Sequence, residues 1–359
     1  MADPDLISEP NDYVLRAARG EVTPRPCVWV HRQAGRYMQE FRDVRTQHDF
    51  FTICRTPELA CEVTLQPLRK IPYDAAIIFS DILVIPQALG MEVLMVKGEG
   101  PHFPSPLRTP EDIERLKLDA DVARELSYVG EAIRLTRSKL GGRIPLLGFS
   151  GAPWTLMAYM IEGGGSKTLS KAKAWLYKYP GASKRLLEIL EDAIVDYLWM
   201  QIESGAQMLE VFDTWAEYLS PVTFNEFVIP GLRRIASRVK SKCIEKGIAE
   251  IPMTLFAKGA NQSLEALSRL QYNVLSIDWT IEPAEARRLT GGRVALQGNL
   301  DPCVLYGSND TIHAETIRML DSFGPGPLIA NLGHGIYPDH SPDALAQYVR
   351  SIQSYSRRV

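Results

Sequence analysis

The sequence lacks the cysteine and histidine patterns that hold disulfide-rich or zinc-binding proteins together. Its 359 residues contain only five cysteines, none of them in a C-x-x-C pair, and the odd number argues against a disulfide framework. The six histidines are scattered, and none lies two residues before a cysteine. Because metal ligands need close, regular spacing, the sequence predicts reduced cysteines and no metal site.

Long apolar runs and a strong net charge are also missing. The most apolar stretch, from Asp74 to Leu89, is interrupted by Asp81 and Pro86 well short of the ~20 residues that a membrane span needs. The segment Met1 to Pro10 is acidic and has neither the order of a secretory signal nor the composition of a transit peptide. The net charge is −3, which draws neither nucleic acid nor anionic lipid. We expect a cytoplasmic protein without membrane or nucleic-acid partners.

The chain also lacks internal repeats, low-complexity tracts and a recognisable linker, which favours one domain over residues 1–359. Length alone would also fit two domains, and residues 1–11 are expected to form a flexible N-terminal arm. Short apolar runs of strand length recur eight times. They are Cys27 to Val30, Ala75 to Phe79, Pro145 to Phe149, Gln207 to Phe212, Pro252 to Phe256, Val274 to Ile277, Val294 to Leu296 and Leu328 to Ala330.

Helical patterns separate these strands, most clearly over Ala182 to Glu203 and again over Pro221 to Glu245. Apolar strands alternating with amphipathic helices indicate a parallel sheet covered by helices, and eight of them predict an α/β fold of the (β/α)8 TIM-barrel type. A doubly wound sheet remains possible. A further strand pair around Glu92 to Val96, followed by the Pro-rich stretch Pro101 to Pro110, predicts a small insertion after the second strand.

Polar residues follow these strands, where a barrel would direct them to one mouth. Because the loops at the carboxyl ends of barrel strands converge on one pocket, this pattern predicts an enzyme. The residues in question are His31 and Arg32, Ser80 and Asp81, Ser150, Asp213 and Thr214, Lys258, Asp278, Gln297 and Asn299, and Asn331 and His334.

Three of these positions, together with Arg36, suggest specific chemistry. Arg32 and Arg36 lie four apart around a glycine and could hold carboxylates or phosphates, although internal salt bridges would explain them equally well. Asp81 follows an intensely apolar strand, so its carboxylate is expected to be partly desolvated; the alternative is a helix N-cap or a partner for an arginine. His334 stands between Gly333 and Gly335, which favours an exposed ring facing a pocket.

Five separated motifs in this order resemble the uroporphyrinogen decarboxylase family over nearly the whole chain, from about Asp12 to Val349. They are Arg32 to Tyr37, Ala75 to Leu83, Gly148 to Gly165, Leu296 to Pro302, and Asn331 to Gly335. The resemblance implies a single-domain barrel, a homodimer, and no metal or organic cofactor. It also implies the activity, which is decarboxylation of the four acetate side chains of uroporphyrinogen to methyl groups, giving coproporphyrinogen and four CO2.

Carried over residue by residue, the resemblance assigns roles to ten positions. Arg32 and Arg36 would hold substrate carboxylates, and Asp81 would accept hydrogen bonds from the pyrrole N–H groups. The residues implied as catalytic are Asp81, Arg32, Tyr159 and His334, and those implied as substrate-binding are Arg32, Gln33, Arg36, Arg45, Phe79, Asp81, Tyr159, Phe212, Thr214 and His334.

The chain departs from the family at a few positions close to these residues. His31 stands where Met is usual and Cys27 where Pro is usual, and Met38-Gln39 replaces Leu-Pro. Thr214 replaces a common Ser, and Glu217 replaces Gly. Two other functions remain open: a zinc-dependent corrinoid methyltransferase with the same barrel, which would need a His-x-Cys site that is absent here, and a non-catalytic porphyrinogen-binding paralogue.

Overall fold

The protein is a (β/α)8 barrel, as the eight apolar runs predict. The computed structural model describes residues 3, 9–96 and 98–356. Ten strands are present in this part of the chain. They are β1 (Cys27–Val28), β2 (Ala76–Ile77), β3 (Leu94–Val96), β4 (Gly100–His102), β5 (Leu146–Gly151), β6 (Met208–Asp213), β7 (Met253–Ala257), β8 (Val274–Ser276), β9 (Ala295–Leu300) and β10 (Leu328–Leu332).

The helices alternate with these strands and cover the outside of the sheet. They are α1 (Tyr13–Ala18), α2 (Gln39–Gln47), α3 (Phe50–Arg55), α4 (Pro57–Leu65), α5 (Val84–Ala88), α6 (Val122–Glu125), α7 (Ser127–Leu140), α8 (Pro153–Glu162), α9 (Ser170–Lys178), α10 (Pro180–Glu203), α11 (Pro221–Phe227), α12 (Ile229–Glu245), α13 (Leu264–Leu267), α14 (Pro283–Thr290), α15 (Asn309–Phe323) and α16 (Pro342–Gln353). Among the described residues, no helix is both long and apolar enough to cross a membrane.

Eight strands form one parallel sheet in the order β1-β10-β9-β8-β7-β6-β5-β2. Asp74 closes the ring between its two ends: its backbone N–H donates to the carbonyl of Val28 at 2.8 Å, and its carboxylate accepts from the Val28 N–H at 2.8 Å. The carboxylate is 1% exposed and is neutralised by the Arg25 guanidinium at 2.6 Å. Burying this carboxylate without the cation would be costly in free energy. Arg25 therefore stabilises the contact through which Asp74 joins the two ends of the sheet.

Two elements differ in detail from the sequence prediction. The helix expected over Pro221 to Glu245 is two helices, α11 and α12, which are interrupted at Val228. Pro230 explains the break, because it has no N–H to donate to the preceding turn and its ring disfavours a continuous helix there. The predicted insertion is an antiparallel pair of β3 and β4 after β2, and it tolerates Pro101 because both strands lie at an edge.

One end of the barrel is filled by apolar side chains. The buried faces of α1 pack against the residues at which the strands begin, including Cys27, Ala75, Met208 and Ile329. Side chains of the described residues therefore pack this end, and the carboxyl ends of the strands form the mouth that is available for chemistry. Most of the arm predicted at residues 1–11 lies outside the described residues; Asp3, which is described, pairs with Arg69 at 2.7 Å.

Candidate active site

Arg32 follows β1 at the carboxyl end of the barrel and adopts an unusual backbone conformation, with φ of 58°. A non-glycine residue in this region costs on the order of 1–3 kcal/mol, so its surroundings must hold it there. Gly335 is part of those surroundings: a Cβ at this position would lie 2.4 Å from the Arg32 Cδ. Gly335 thus leaves the space through which the arginine side chain passes.

The charge of Arg32 is poorly solvated although solvent reaches the side chain. Desolvation by the surrounding protein lowers its pKa, and the nearby cation of Arg36 lowers it further, while Tyr159 and Asp81 oppose this effect. Within residues 3, 9–96 and 98–356, neither Arg32 nor Arg36 forms a salt bridge, which removes internal ion pairing as the explanation for the pair. Two guanidinium groups without salt bridges among the described residues are suited to binding carboxylates.

Asp81 lies beyond β2, facing Arg32. Desolvation raises the pKa of its carboxyl to about 6, against the effects of the Leu83 N–H, which donates to Asp81 Oδ1 at 2.8 Å, and of the Arg32 charge. This contact is not the helix N-cap considered for Asp81, because Leu83 is itself the N-cap residue of α5 and that helix has no side-chain cap. A carboxylate that is ionised at neutral pH yet poorly hydrated has a strong tendency to bind a cation or N–H donors.

Tyr159 and His334 belong to the same cluster. Tyr159, on α8, lies close to both Asp81 and Arg32, and desolvation raises its pKa to about 12. Its ring contacts Trp215, with centroids 5.5 Å apart. His334 follows β10, and desolvation together with the charge of Arg32 lowers its pKa to about 3, so the ring is neutral at pH 7. Its buried Nδ1 has no hydrogen-bond partner among the described residues.

An aromatic wall adjoins this polar cluster. Phe79 packs against Phe50, with ring centroids 5.8 Å apart, and the Arg45 guanidinium lies 6.0 Å from the Phe50 ring. Arg45 also donates to the carbonyl of His48 at 2.7 Å, which fixes its side chain. Phe212, in β6, contacts the ring of Phe149 at 5.6 Å. Such a wall suits a large, partly apolar ligand whose acidic groups reach the arginines.

Two further predicted positions have well-defined surroundings. The side-chain amide of Gln33 is buried and bonds the wall of the barrel: Nε2 donates to the Ala75 carbonyl at 3.0 Å, and Oε1 accepts from the Ile77 N–H at 3.4 Å. Thr214 is half-buried at the end of β6, next to Asp213. Burial raises the pKa of Asp213 to about 7, although the Thr155 hydroxyl donates to it at 2.6 Å.

A polar network that was not predicted from the sequence lies inside the barrel. His31 Nε2 lies 3.0 Å from Glu210 Oε1, and the Gln297 amide donates to the same oxygen at 3.1 Å. The His31 ring also stacks on Phe256, with centroids 4.9 Å apart. Glu210 is fully buried in the middle of β6, so a charged residue inside an apolar strand was the available signal.

The sequence also gave no indication that Glu217 pairs with Lys258, because the two residues are 41 positions apart. Lys258 Nζ lies 2.6 Å from Glu217 Oε1, at the end of the barrel that carries Arg32. The same structure contains no group of three or more His, Cys, Asp or Glu side chains arranged to hold a metal ion, as far as the described residues extend.

Comparison with known proteins finds one family over nearly the whole chain. Residues 9–355 match the family described as Uroporphyrinogen decarboxylase (URO-D). The uroporphyrinogen decarboxylases of Danio rerio and Homo sapiens are 56% and 55% identical to this chain, each over 97% of it and 95% of their own length. That of Schizosaccharomyces pombe is 53% identical over 96% of this chain and 98% of its own.

Among solved structures, a methyltransferase from Methanosarcina mazei has a TM-score of 0.80 and covers 95% of this chain and 97% of its own. It is 22% identical, so this likeness concerns the barrel alone. The family match spans nearly the whole chain, and the related decarboxylases share more than half of its residues. The chain therefore belongs to the uroporphyrinogen decarboxylase family.

Proposed function

We propose that this protein decarboxylates the four acetate side chains of uroporphyrinogen, giving coproporphyrinogen and four CO2. The observation that carries the proposal is the desolvated Asp81 carboxylate near Arg32, at a barrel mouth where Arg32 and Arg36 form no salt bridge with any described residue. Family membership points to the same reaction. The methyltransferase alternative is not favoured, because the similarity to such a protein is limited to the fold.

The reaction needs a place for the electron pair that is left when CO2 departs. A proton added to the pyrrole carbon next to the acetate-bearing carbon makes the ring cationic. The bond between CH2 and the carboxylate then breaks, its electron pair moves into the ring, and CO2 leaves. The CH2 carbon takes up a proton and the ring loses the one it gained, so each acetate consumes one proton in total. The substrate's own ring is the electron sink, and we propose that no cofactor takes part.

Asp81 would act on this cationic ring. In the proposed complex its carboxylate accepts hydrogen bonds from the pyrrole N–H groups and faces the positive charge that protonation creates. Its incomplete hydration strengthens that interaction, because little water has to be displaced or reorganised as the charge develops. The attraction is larger in the transition state than in the ground state, which is the condition for faster turnover.

The basic residues would hold the acidic side chains of the substrate. We assign Arg32 and Arg36 to carboxylates in the cleft and Arg45 to one near the rim. The lowered pKa of Arg32 supports a further role in supplying the proton, and the neutral His334 would offer a hydrogen bond rather than a cationic acid. The catalytic set we propose is Asp81, Arg32, Tyr159 and His334. The substrate-binding set adds Gln33, Arg36, Arg45, Phe79, Phe212 and Thr214.

The side-chain amide of Gln33 is already bonded to the barrel wall, so its contribution would be to keep the segment around Arg32 in place. For the protein as a whole, we propose one domain over residues 1–359, a homodimer in which two clefts face each other, and a cytoplasmic location. These three points rest on the family resemblance and on the composition.

The proposed activity can be tested on the wild-type protein. After exhaustive chelation and without added nucleotide, flavin or pyridoxal phosphate, we expect anaerobic conversion of uroporphyrinogen to coproporphyrinogen with release of four CO2. Chromatography of the oxidised porphyrins measures the product, and a sample without protein is the control. Binding without turnover would indicate a non-catalytic porphyrinogen-binding protein, and decarboxylation that is lost on chelation and restored by zinc would contradict the proposal that no cofactor takes part.

A second test concerns the space that Gly335 leaves for Arg32. We expect Gly335→Ala to displace the Arg32 side chain, because the new methyl group would meet its Cγ and Cδ at 2.6 and 2.4 Å. A displaced carboxylate-binding group should lower kcat/KM on the order of tenfold to a hundredfold. Gly181→Ala is a matched control, since a Cβ there has no neighbour within 4 Å. If Gly335→Ala has normal kinetics, Arg32 does not need its observed position.

A further inference from the structure

Glu217 and Lys258 form an ion pair at the mouth of the barrel. Glu217 lies in a short 3-10 helix, Ala216–Tyr218, which follows β6, and Lys258 directly follows β7. Their charged atoms are 2.6 Å apart, and the lysine side chain is only 17% exposed whereas the glutamate side chain is 37% exposed. The lysine side chain is thus the more buried partner, and its charged end meets the glutamate at the rim of the mouth.

The backbone holds the two residues against each other. The Lys258 N–H donates to the carbonyl of Asp213, at the end of β6, at 3.2 Å. Gly259 has φ of +71°, and a Cβ there would lie 2.4 Å from the Glu217 Cβ. The segments that carry the pair are therefore in direct contact, and the glutamate meets the lysine without reaching across the cleft.

The charge of Lys258 also acts on a residue of the proposed active site. Its positive charge contributes to the lowering of the pKa of His334, so the ammonium lies near that ring. Thr214, which we assign to the substrate site, is three residues before Glu217 on the same segment. The ion pair therefore borders the cleft into which a substrate with eight carboxylates would have to enter.

We propose that Glu217 is an internal carboxylate that competes with a carboxylate of the tetrapyrrole for Lys258. The inference rests on the proposed function and extends it. A bound tetrapyrrole carboxylate displaces Glu217 from Lys258 and takes up the ion pair. When that carboxylate leaves the position, as an acetate is lost or the product departs, Glu217 returns to the lysine. The exchange weakens the binding of substrate and product and thereby favours release.

The test is Glu217→Gln, which keeps the size of the side chain and removes its charge. Dissociation constants for uroporphyrin, a fluorescent octacarboxylate, are measured by fluorescence titration, and KM and kcat for uroporphyrinogen are measured in parallel. We expect both Kd and KM to fall roughly two- to fivefold, the range that a partly exposed ion pair supports, with kcat unchanged or lower. The effect should shrink as salt is added.

Two further variants separate competition from a general change in charge. Lys258→Met should raise Kd, and in that background Glu217→Gln should have no effect, because the cation for which the glutamate competes is gone. Glu226→Gln is the matched control: it breaks the exposed pair with Lys184, whose charged atoms are 3.1 Å apart, and should leave Kd unchanged.

The inference is overturned if Glu217→Gln leaves Kd unchanged or raises it, or if it lowers Kd equally in the Lys258→Met background. The titration does not need turnover, so it distinguishes a failure of the proposed reaction from a failure of the proposed role of Glu217. Inactive wild-type protein that still binds uroporphyrin more tightly after Glu217→Gln contradicts the proposed reaction alone. Active wild-type protein with unaltered affinity in the variant contradicts the role of Glu217 alone.

Discussion

Asp81→Asn is expected to lower kcat by roughly a hundred- to a thousandfold while the binding of the tetrapyrrole changes much less. Asparagine keeps the size of the side chain and the oxygen that accepts from the Leu83 N–H at 2.8 Å. It removes the negative charge that faces the cationic ring during decarboxylation. Loss of one preorganised electrostatic group costs about 2.7–4 kcal/mol in the barrier, which corresponds to this loss of rate. Single-turnover rates and product affinities would measure the two effects separately.

The pH dependence offers a second readout for the same variant. Because desolvation raises the pKa of Asp81 to about 6, wild-type kcat/KM should fall as the pH drops below about 6 and the carboxylate becomes protonated. This acidic limb should disappear in Asp81→Asn. Asp81→Glu keeps the charge on a longer arm, so it should retain more activity than Asp81→Asn. Wild-type activity in Asp81→Asn would show that Asp81 is a structural carboxylate.

Asp81→Asn should raise the stability of the folded protein although it lowers the activity. The folded-state pKa of about 6 exceeds the ordinary value of 3.8, so the ionised Asp81 is disfavoured in the folded protein. This penalty is absent below pH 4, grows between pH 4 and 6, and is fully present at neutral pH. Asp81→Asn should therefore raise the free energy of unfolding by on the order of 1–3 kcal/mol at pH 7. A variant that is more stable and far less active is typical of a group held in place for catalysis.

The barrel was predictable because its strands are buried on both faces. Segments such as β6 and β7 are short, apolar and bounded by turns, and a parallel sheet covered by helices requires that pattern. The break between α11 and α12 was less visible, since the apolar period continues across Val228 and only Pro230 interrupts the hydrogen bonding. The polar residues at the strand ends were predictable as well, because they directly follow the apolar runs in the sequence.

The pairing of polar side chains across the barrel was not predictable. His31 and Glu210 are 179 positions apart, and Lys258 and Glu217 are 41 positions apart, so no local spacing relates them. Their contacts exist because β1, β6 and β7 direct side chains to a shared interior or to a shared mouth. The sequence marks each of them only as a polar residue in or after a strand, and the partner emerges from the geometry of the closed sheet.

That geometry also predicts an effect on stability. His31→Met should lower the free energy of unfolding by about 1–3 kcal/mol, because it removes the side chain that lies 3.0 Å from the fully buried Glu210 carboxyl and shares a hydrogen bond with it. The Gln297 amide, which donates to the same oxygen at 3.1 Å, remains. Asp192→Asn, which breaks an exposed pair with Arg238, is the control and should cost at most ~1 kcal/mol.

The double variant His31→Met/Glu210→Gln decides whether charge causes the loss. Glutamine has the shape of the glutamate and needs no counter-charge, so the double variant should recover most of the stability that His31→Met loses. The two substitutions would then be strongly non-additive, as expected for side chains in contact. Urea unfolding of the wild type, both single variants and the double variant measures the coupling. Additive losses would mean that the two side chains are held by packing against Phe256 rather than by their hydrogen bond.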